Sequence, residues 1–228
     1  MDLVIGLDAD DTLWHNERYF AHTHAQFAEL LSPYVSDETC LTERLDETER
    51  SNLRIYGYGI KAFTLSMVET AIEVTDHRVP VSVLSTLLDW GKEMLTLPVE
   101  LLDGVSETVT SLAESYRLML ITKGDLIHQE SKVAASPLAD LLWRVEVVAE
   151  KDETTYARLL RHNLIDTDRF VMVGNSVRSD VLPVLGIGAR AVHIPYEITW
   201  SHEQVEGACG FPVLASIRDL PEWLDTQN

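Results

Sequence analysis

The chain has 228 residues, 46% of them hydrophobic, and sets 18 basic against 37 acidic residues for a formal net charge of −19. That length allows one large domain or a core with a smaller inserted one, and the charge argues against a nucleic-acid partner, with no basic stripe to offset it. The longest apolar runs, such as residues 118–121 and 170–173, are strand-length and far short of a membrane span, so no membrane association is expected. Met1-Asp2 opens no secretory signal, and Cys40 and Cys209 read as two reduced thiols in a cytoplasmic protein. Oligomeric state leaves no trace in the sequence.

Residues 3–7 are the first of five short segments rich in Val, Ile and Leu that read as buried parallel strands; the others are 118–121, 145–148, 170–173 and 191–194. The first segment runs into Asp8-Ala9-Asp10-Asp11-Thr12, which puts several carboxylates at the mouth of a buried sheet. Carboxylates there are costly unless a metal or hydrogen bonds compensate them. A turn or helix cap built from Asp and Thr is the alternative reading.

The next strand does not arrive until residue 118, and the interval is almost wholly helical in pattern. Phe20, His24, Phe27 and Leu31 fall at helical spacing, as do Ile60, Phe63, Met67 and Ala71, and again Leu84, Leu87, Leu88, Gly91 and Leu95. Ser36-Asp37 and Pro80 mark helix starts, and Gly57-Tyr58-Gly59 marks a break. The sequence predicts an all-helical cap domain, residues 15–98, inserted into a core made of residues 1–14 and 99–228. Placed directly after a strand end, it can cover what that strand end carries. Two glycines permit a sharp turn, which makes Tyr58 and Lys61 candidate contacts of a substrate lid; an ordinary helix–helix turn is the alternative.

Beyond the insert, helical patterns separate the remaining strands: residues 104–114, a helix capped by Asp152, and residues 176–185. This alternation predicts an α/β fold, a doubly wound, Rossmann-like and mostly parallel sheet that binds ligands at the carboxyl ends of its strands. Three features fall at such ends. Thr122, with Lys123-Gly124, offers a hydroxyl and N–H groups, or a plain helix cap. Lys151 supplies the positive charge an acidic chain needs to hold a phosphate, or is a solvated loop residue. Gly174-Asn175-Ser176 through Asp180 offers hard oxygens suited to Mg²⁺, or a capped helix.

Together these segments resemble the haloacid dehalogenase superfamily of hydrolases. Asp8-x-Asp10-x-Thr12 is similar to its first motif, Thr122 to its second, Lys151 to its third, and Gly174-Asn175-Ser176 through Asp180 to its fourth, with the helical cap between the first two. The resemblance implies that Asp8 attacks phosphorus to form an aspartyl phosphate and that Asp10 protonates the leaving oxygen and then activates water. It also implies Mg²⁺ on Asp8, the backbone carbonyl of Asp10, and Asn175 or Asp180, with Thr122 and Lys151 on the phosphoryl oxygens. Asn175 stands where the family usually has an aspartate. Lys123 stands where an asparagine often follows the second motif, either adding to phosphate binding or facing solvent. The family's dehalogenases and phosphonate-cleaving enzymes lack an acid at the position of Asp10, so a phosphatase acting on a small phosphorylated metabolite is the expected function. A phosphomutase with the same core chemistry, or a non-catalytic member that binds a phospho-ligand or partner, is the alternative.

Overall fold

The computed structural model describes residues 3–36, 40–205 and 207–227; Met1, Asp2 and the expected helix start at Asp37 lie outside them. The chain divides into two compact units, one formed by Met1–Glu17, Val99–Lys123 and Gln129–Asn228, the other by Arg18–Pro98 and Gly124–His128.

The first unit is built on five strands, β1 (Val4–Leu7), β2 (Arg117–Lys123), β3 (Arg144–Val148), β4 (Phe170–Gly174) and β5 (Arg190–His193), all parallel and ordered β3-β2-β1-β4-β5. The chain builds outward to β3 on one side of β1 and then crosses to β4 on the other. The switch point therefore falls between β1 and β4, where ligands bind in such sheets. Helices α5 (Val105–Ala113), α6 (Leu126–Ala135), α7 (Glu153–His162), α8 (Leu182–Gly186) and α9 (Leu220–Asp225) accompany the strands.

Strand side chains alternate between two buried cores although the strand sequences look uniformly apolar, because each face is covered by helices. Ile5, Leu7, Leu118, Leu120, Val171 and Val173 pack with Val109, Leu112 and Leu224, whereas Val4, Met119, Ile121 and Met172 pack with Tyr156, Leu159 and Val184. Gly6 is required by this packing, since a Cβ there would lie 2.5 Å from the Phe170 ring. The third strand differs from the expectation of full burial. At one of the two sheet edges, β3 has Arg144 exposed and residues 145–147 only half-buried.

The second unit contains α1 (Glu17–Leu31), α2 (Leu41–Tyr56), α3 (Ile60–Val74) and α4 (Val81–Leu95). It has its own core, in which Phe27, Leu31, Leu45, Phe63, Met67 and Leu87 are buried. The expected stripes are largely core-facing, except that Leu88 is exposed. Pro80 precedes the first residue of α4, and the break between α2 and α3 is made by Gly57 and Gly59, both at positive φ (73° and 106°). Among the described residues no helix is long and apolar enough to cross a membrane.

Candidate active site

Asp8 extends the β1 ladder by one bond, its N–H donating to the Val173 carbonyl at 2.9 Å. The chain then turns sharply, with the Ala9 carbonyl accepting from Thr12, Leu13 and Trp14. Asp11 sits at φ 63°, a left-handed conformation that Asp tolerates better than most residues, and its carboxylate accepts the backbone N–H groups of Asn16 and Glu17 where α1 begins. Burial and the nearby Asp10 charge push the Asp11 carboxyl up to about 7. This turn aims the two neighbouring carboxylates into different surroundings.

The Asp8 carboxylate is buried. Its Oδ1 accepts from the Lys151 ammonium at 2.5 Å and its Oδ2 from the Thr12 hydroxyl at 2.8 Å. Burial pushes its carboxyl up to about 7, the Lys151 charge opposing and the Asp180 charge adding to the rise. Lys151 lies just beyond β3, ahead of the Asp152 cap of α7, and its side chain is 2% exposed. It also donates to Asp180 Oδ1 at 2.6 Å. Burial alone would lower its affinity for a proton, but the two carboxylates hold it well above the ordinary lysine range.

Asp180 is fully engaged, because its Oδ2 accepts the Ser176 N–H at 3.0 Å. A side chain at Gly174 would collide with this carboxylate, so glycine is what lets Asp180 fold back beneath the β4 end. The expected helix over 176–185 is instead a wide π-type turn, Val177–Val181, followed by the short α8. Such turns are concentrated at functional sites. Asn175 meets the first motif through Thr12: the Thr12 hydroxyl lies 3.3 Å from Asn175 Oδ1 and accepts the Asn175 N–H at 3.0 Å.

Asp10 faces a separate set of donors, none of which stood out in the sequence. Its Oδ1 accepts from Trp14 Nε1 at 2.7 Å and Lys132 Nζ at 2.5 Å, and its Oδ2 from Gln129 Nε2 at 2.8 Å. Burial would raise this carboxyl, yet the Lys132 charge and the three hydrogen bonds outweigh it and leave the group below its ordinary value. Gln129 and Lys132 are three apart on α6 and so share a face. That spacing was readable, but nothing local says the face meets Asp10.

Thr122 is buried at the end of β2, its hydroxyl 3.3 Å from the Lys123 carbonyl. Lys123 does not face solvent. Its ammonium donates to Glu203 at 2.7 Å and Ser179 at 2.8 Å and lies 3.4 Å from Glu150. In the helical unit Lys61 pairs with both oxygens of Asp125, at 2.9 and 3.0 Å, and Tyr58 is half-buried at the α2–α3 turn. The structure thus brings Asp8, Thr12, Lys151, Asn175 and Asp180 into one bonded network and gives Asp10 a neighbouring one.

Comparison with solved structures shows what this architecture is. A haloacid dehalogenase-like family hydrolase from Xanthomonas campestris is 41% identical, with a TM-score of 0.87 over 99% of this chain and 91% of that one. The chain belongs to the haloacid dehalogenase-like hydrolases. The fold is shared with a 2-haloacid dehalogenase from Pseudomonas syringae pv. Tomato DC3000, at 20% identity and a TM-score of 0.67 with both chains wholly covered. It is shared as well with the putative hydrolase YfnB from Bacillus subtilis, whose structure is described as bound to magnesium, at 12% identity and a TM-score of 0.68 over 98% and 99% of the two chains. No protein-family model and no curated protein matches the sequence.

Proposed function

We propose that this hydrolase is a magnesium-dependent phosphatase that removes phosphate from a small phosphorylated metabolite through an aspartyl phosphate on Asp8. The observation that carries the reading is the Asp10 carboxylate, two residues past the Asp8 nucleophile and equipped with its own donors Trp14, Gln129 and Lys132. A departing halide takes no proton, so a dehalogenase has no use for a built acid/base group at this place. An alkoxide leaving from phosphorus does.

Asp8 Oδ attacks phosphorus, an O–P bond forms, and the bond to the leaving oxygen breaks as Asp10 delivers a proton to it. Asp10, now ionised, takes a proton from water; that water's oxygen attacks the aspartyl phosphate, and inorganic phosphate leaves. Each acid/base role contributes roughly 10²–10⁴-fold. Thr122 and Lys151 are the proposed partners of the phosphoryl oxygens, and the Lys151 ammonium, held beside Asp8 by Asp180, is the fixed positive charge that offsets the acidic chain.

The oxygens at these strand ends fit a hard divalent cation. Asp8 Oδ2 and Asn175 Oδ1 both neighbour the Thr12 hydroxyl, at 2.8 and 3.3 Å, which brings a carboxylate and an amide oxygen, both hard donors, into one neighbourhood. Among the described residues no group of three or more His, Cys, Asp and Glu side chains is placed to hold a metal. The cation would rest on Asp8, the Asp10 backbone carbonyl, and Asn175 or Asp180. When bound, Mg²⁺ would neutralise charge on the transferred phosphoryl group.

The test is turnover of a panel of phosphomonoesters with Mg²⁺ and with a chelator. The expected result is metal-dependent release of phosphate, lost by at least about 10³-fold in Asp8→Asn without loss of the folded circular-dichroism spectrum. Near-normal turnover by Asp8→Asn would remove it as nucleophile.

A further inference from the structure

A third polar cluster lies in the sheet unit, outside the sets bonded to Asp8 and Asp10. Glu203 closes a single 3₁₀ turn, Ser201–Glu203, in the segment after β5. Its carboxylate is 14% exposed and accepts from three groups: the Lys123 ammonium at 2.7 Å, the Ser176 hydroxyl at 2.5 Å and the Ser179 hydroxyl at 2.6 Å. Arg178 ties the same turn down by donating to the His202 carbonyl at 2.9 Å. Burial would raise the Glu203 carboxyl, but Lys123 and the two serines hold it down at about 2.

Every group that Glu203 binds lies next to a residue of the candidate site. Ser176 follows Asn175 and Ser179 precedes Asp180, in the turn that Ser176 caps by accepting the Ser179 N–H at 3.0 Å. Lys123 follows Thr122 and donates to Ser179 as well as to Glu203. The Lys123 charge is thus paired with Glu203, a residue outside the network around Asp8.

We propose that Glu203 is a positioning residue of the hydrolase site: with Lys123 as its counter-ion it holds Ser176 and Ser179, and through them the loop that presents Asn175 and Asp180. This rests on the phosphatase reading. Lys123 is then part of the same clamp and no phosphate ligand. The two residues act as a unit, so the loss of either loosens the loop and the loss of both does little more.

A double-mutant cycle tests this, with Glu203→Gln, Lys123→Met and the pair. Three quantities are measured on folded protein: kcat on whichever phosphomonoester the wild type turns over, Mg²⁺ affinity by calorimetry without substrate, and affinity for inorganic phosphate in the presence of Mg²⁺. Each single variant is expected to lose about 10-fold in kcat and to bind Mg²⁺ about 5-fold more weakly, and the double variant is expected to match the weaker single. Phosphate affinity in Lys123→Met stays within about 3-fold of wild type, whereas a direct phosphate ligand would cost more. Effects on kcat that multiply to about 100-fold, or phosphate binding weakened more than about 10-fold by Lys123→Met alone, overturn the proposal. Ser179→Ala, which removes one hydroxyl from the clamp, serves if Glu203→Gln does not fold, and wild-type Mg²⁺ affinity in Ser179→Ala overturns it equally. A wild type that neither turns over phosphomonoesters nor binds Mg²⁺ sinks both readings; an active wild type with unaltered variants sinks only the clamp.

Discussion

Asp8 and Asp10 are separated by one alanine, yet the ground around them pushes their carboxyls in opposite directions. Asp8 shares a single buried ammonium with Asp180, so two negative charges compete for one positive, and burial prevails. Asp10 has Lys132 beside it together with the neutral donors Gln129 and Trp14, and these prevail over burial. The contrast comes from the count of donors around each group, which is open to direct manipulation.

The largest effect is expected from Lys151→Met. It leaves Asp8 and Asp180 facing each other without their cation, and breaking a buried pair from one side costs about 3–5 kcal/mol. The loss has a pH signature. The carboxyl of Asp8 is already raised and rises further without Lys151, so it takes up a proton as pH falls and relieves the repulsion. The destabilisation is then largest at pH 8 and shrinks towards pH 5 in urea unfolding of the metal-free protein. Equal losses at both pH values would mean that the two carboxylates do not share the ammonium.

A smaller effect is expected from Lys132→Met, which spares Asp8 and removes the charge that outweighs burial at Asp10. The Asp10 carboxyl then rises, so the pH at which Asp10 passes from proton donor to ionised base moves up: the pH–rate profile is displaced to higher pH, with turnover down about 10-fold at the wild-type optimum. Parallel profiles for the two proteins would sever Lys132 from Asp10. Trp14→Phe is the mildest of the three. It keeps most of the buried ring and removes one hydrogen bond to a charged group, so kcat stays within about 3-fold while stability drops by roughly 1.5–3 kcal/mol. A larger change in kcat than Lys132→Met produces would reverse the ranking of the two donors.

Much of the sheet could be read from the chain because strand signals are local. Four apolar segments coincide with buried strands to within a residue or two, and Gly57 and Gly59 broke the helical pattern where positive φ was needed. The β3 segment read as equally buried, since five residues rich in valine carry no mark of being last in a sheet; the strand order decides that. The 176–185 stretch read as one helix because its spacing is helical, and the departure comes from Asp180 folding back to the Ser176 N–H over Gly174.

Within the candidate site, Asp8, Asp10, Thr122, Lys151, Asn175 and Asp180 were legible because each stands at the end of a strand or the start of the segment after it, and chain order alone places such residues at one edge of a parallel sheet. Their partners were not. Lys132 reaches Asp10 across 122 positions and Glu203 reaches Lys123 across 80. Lys61, read as a lid residue, has its ammonium on Asp125.

The sequence by itself determined where carboxylates, hydroxyls and lysines fall along the strands, since strand periodicity and turn chemistry act over a few residues. Only the tertiary structure decided which cation answers which carboxylate. Coulomb energy and burial depend on distance in space, and those distances, such as 2.5 Å from Lys151 to Asp8 and 2.5 Å from Lys132 to Asp10, arise when helices and loops far apart in the chain pack onto one sheet.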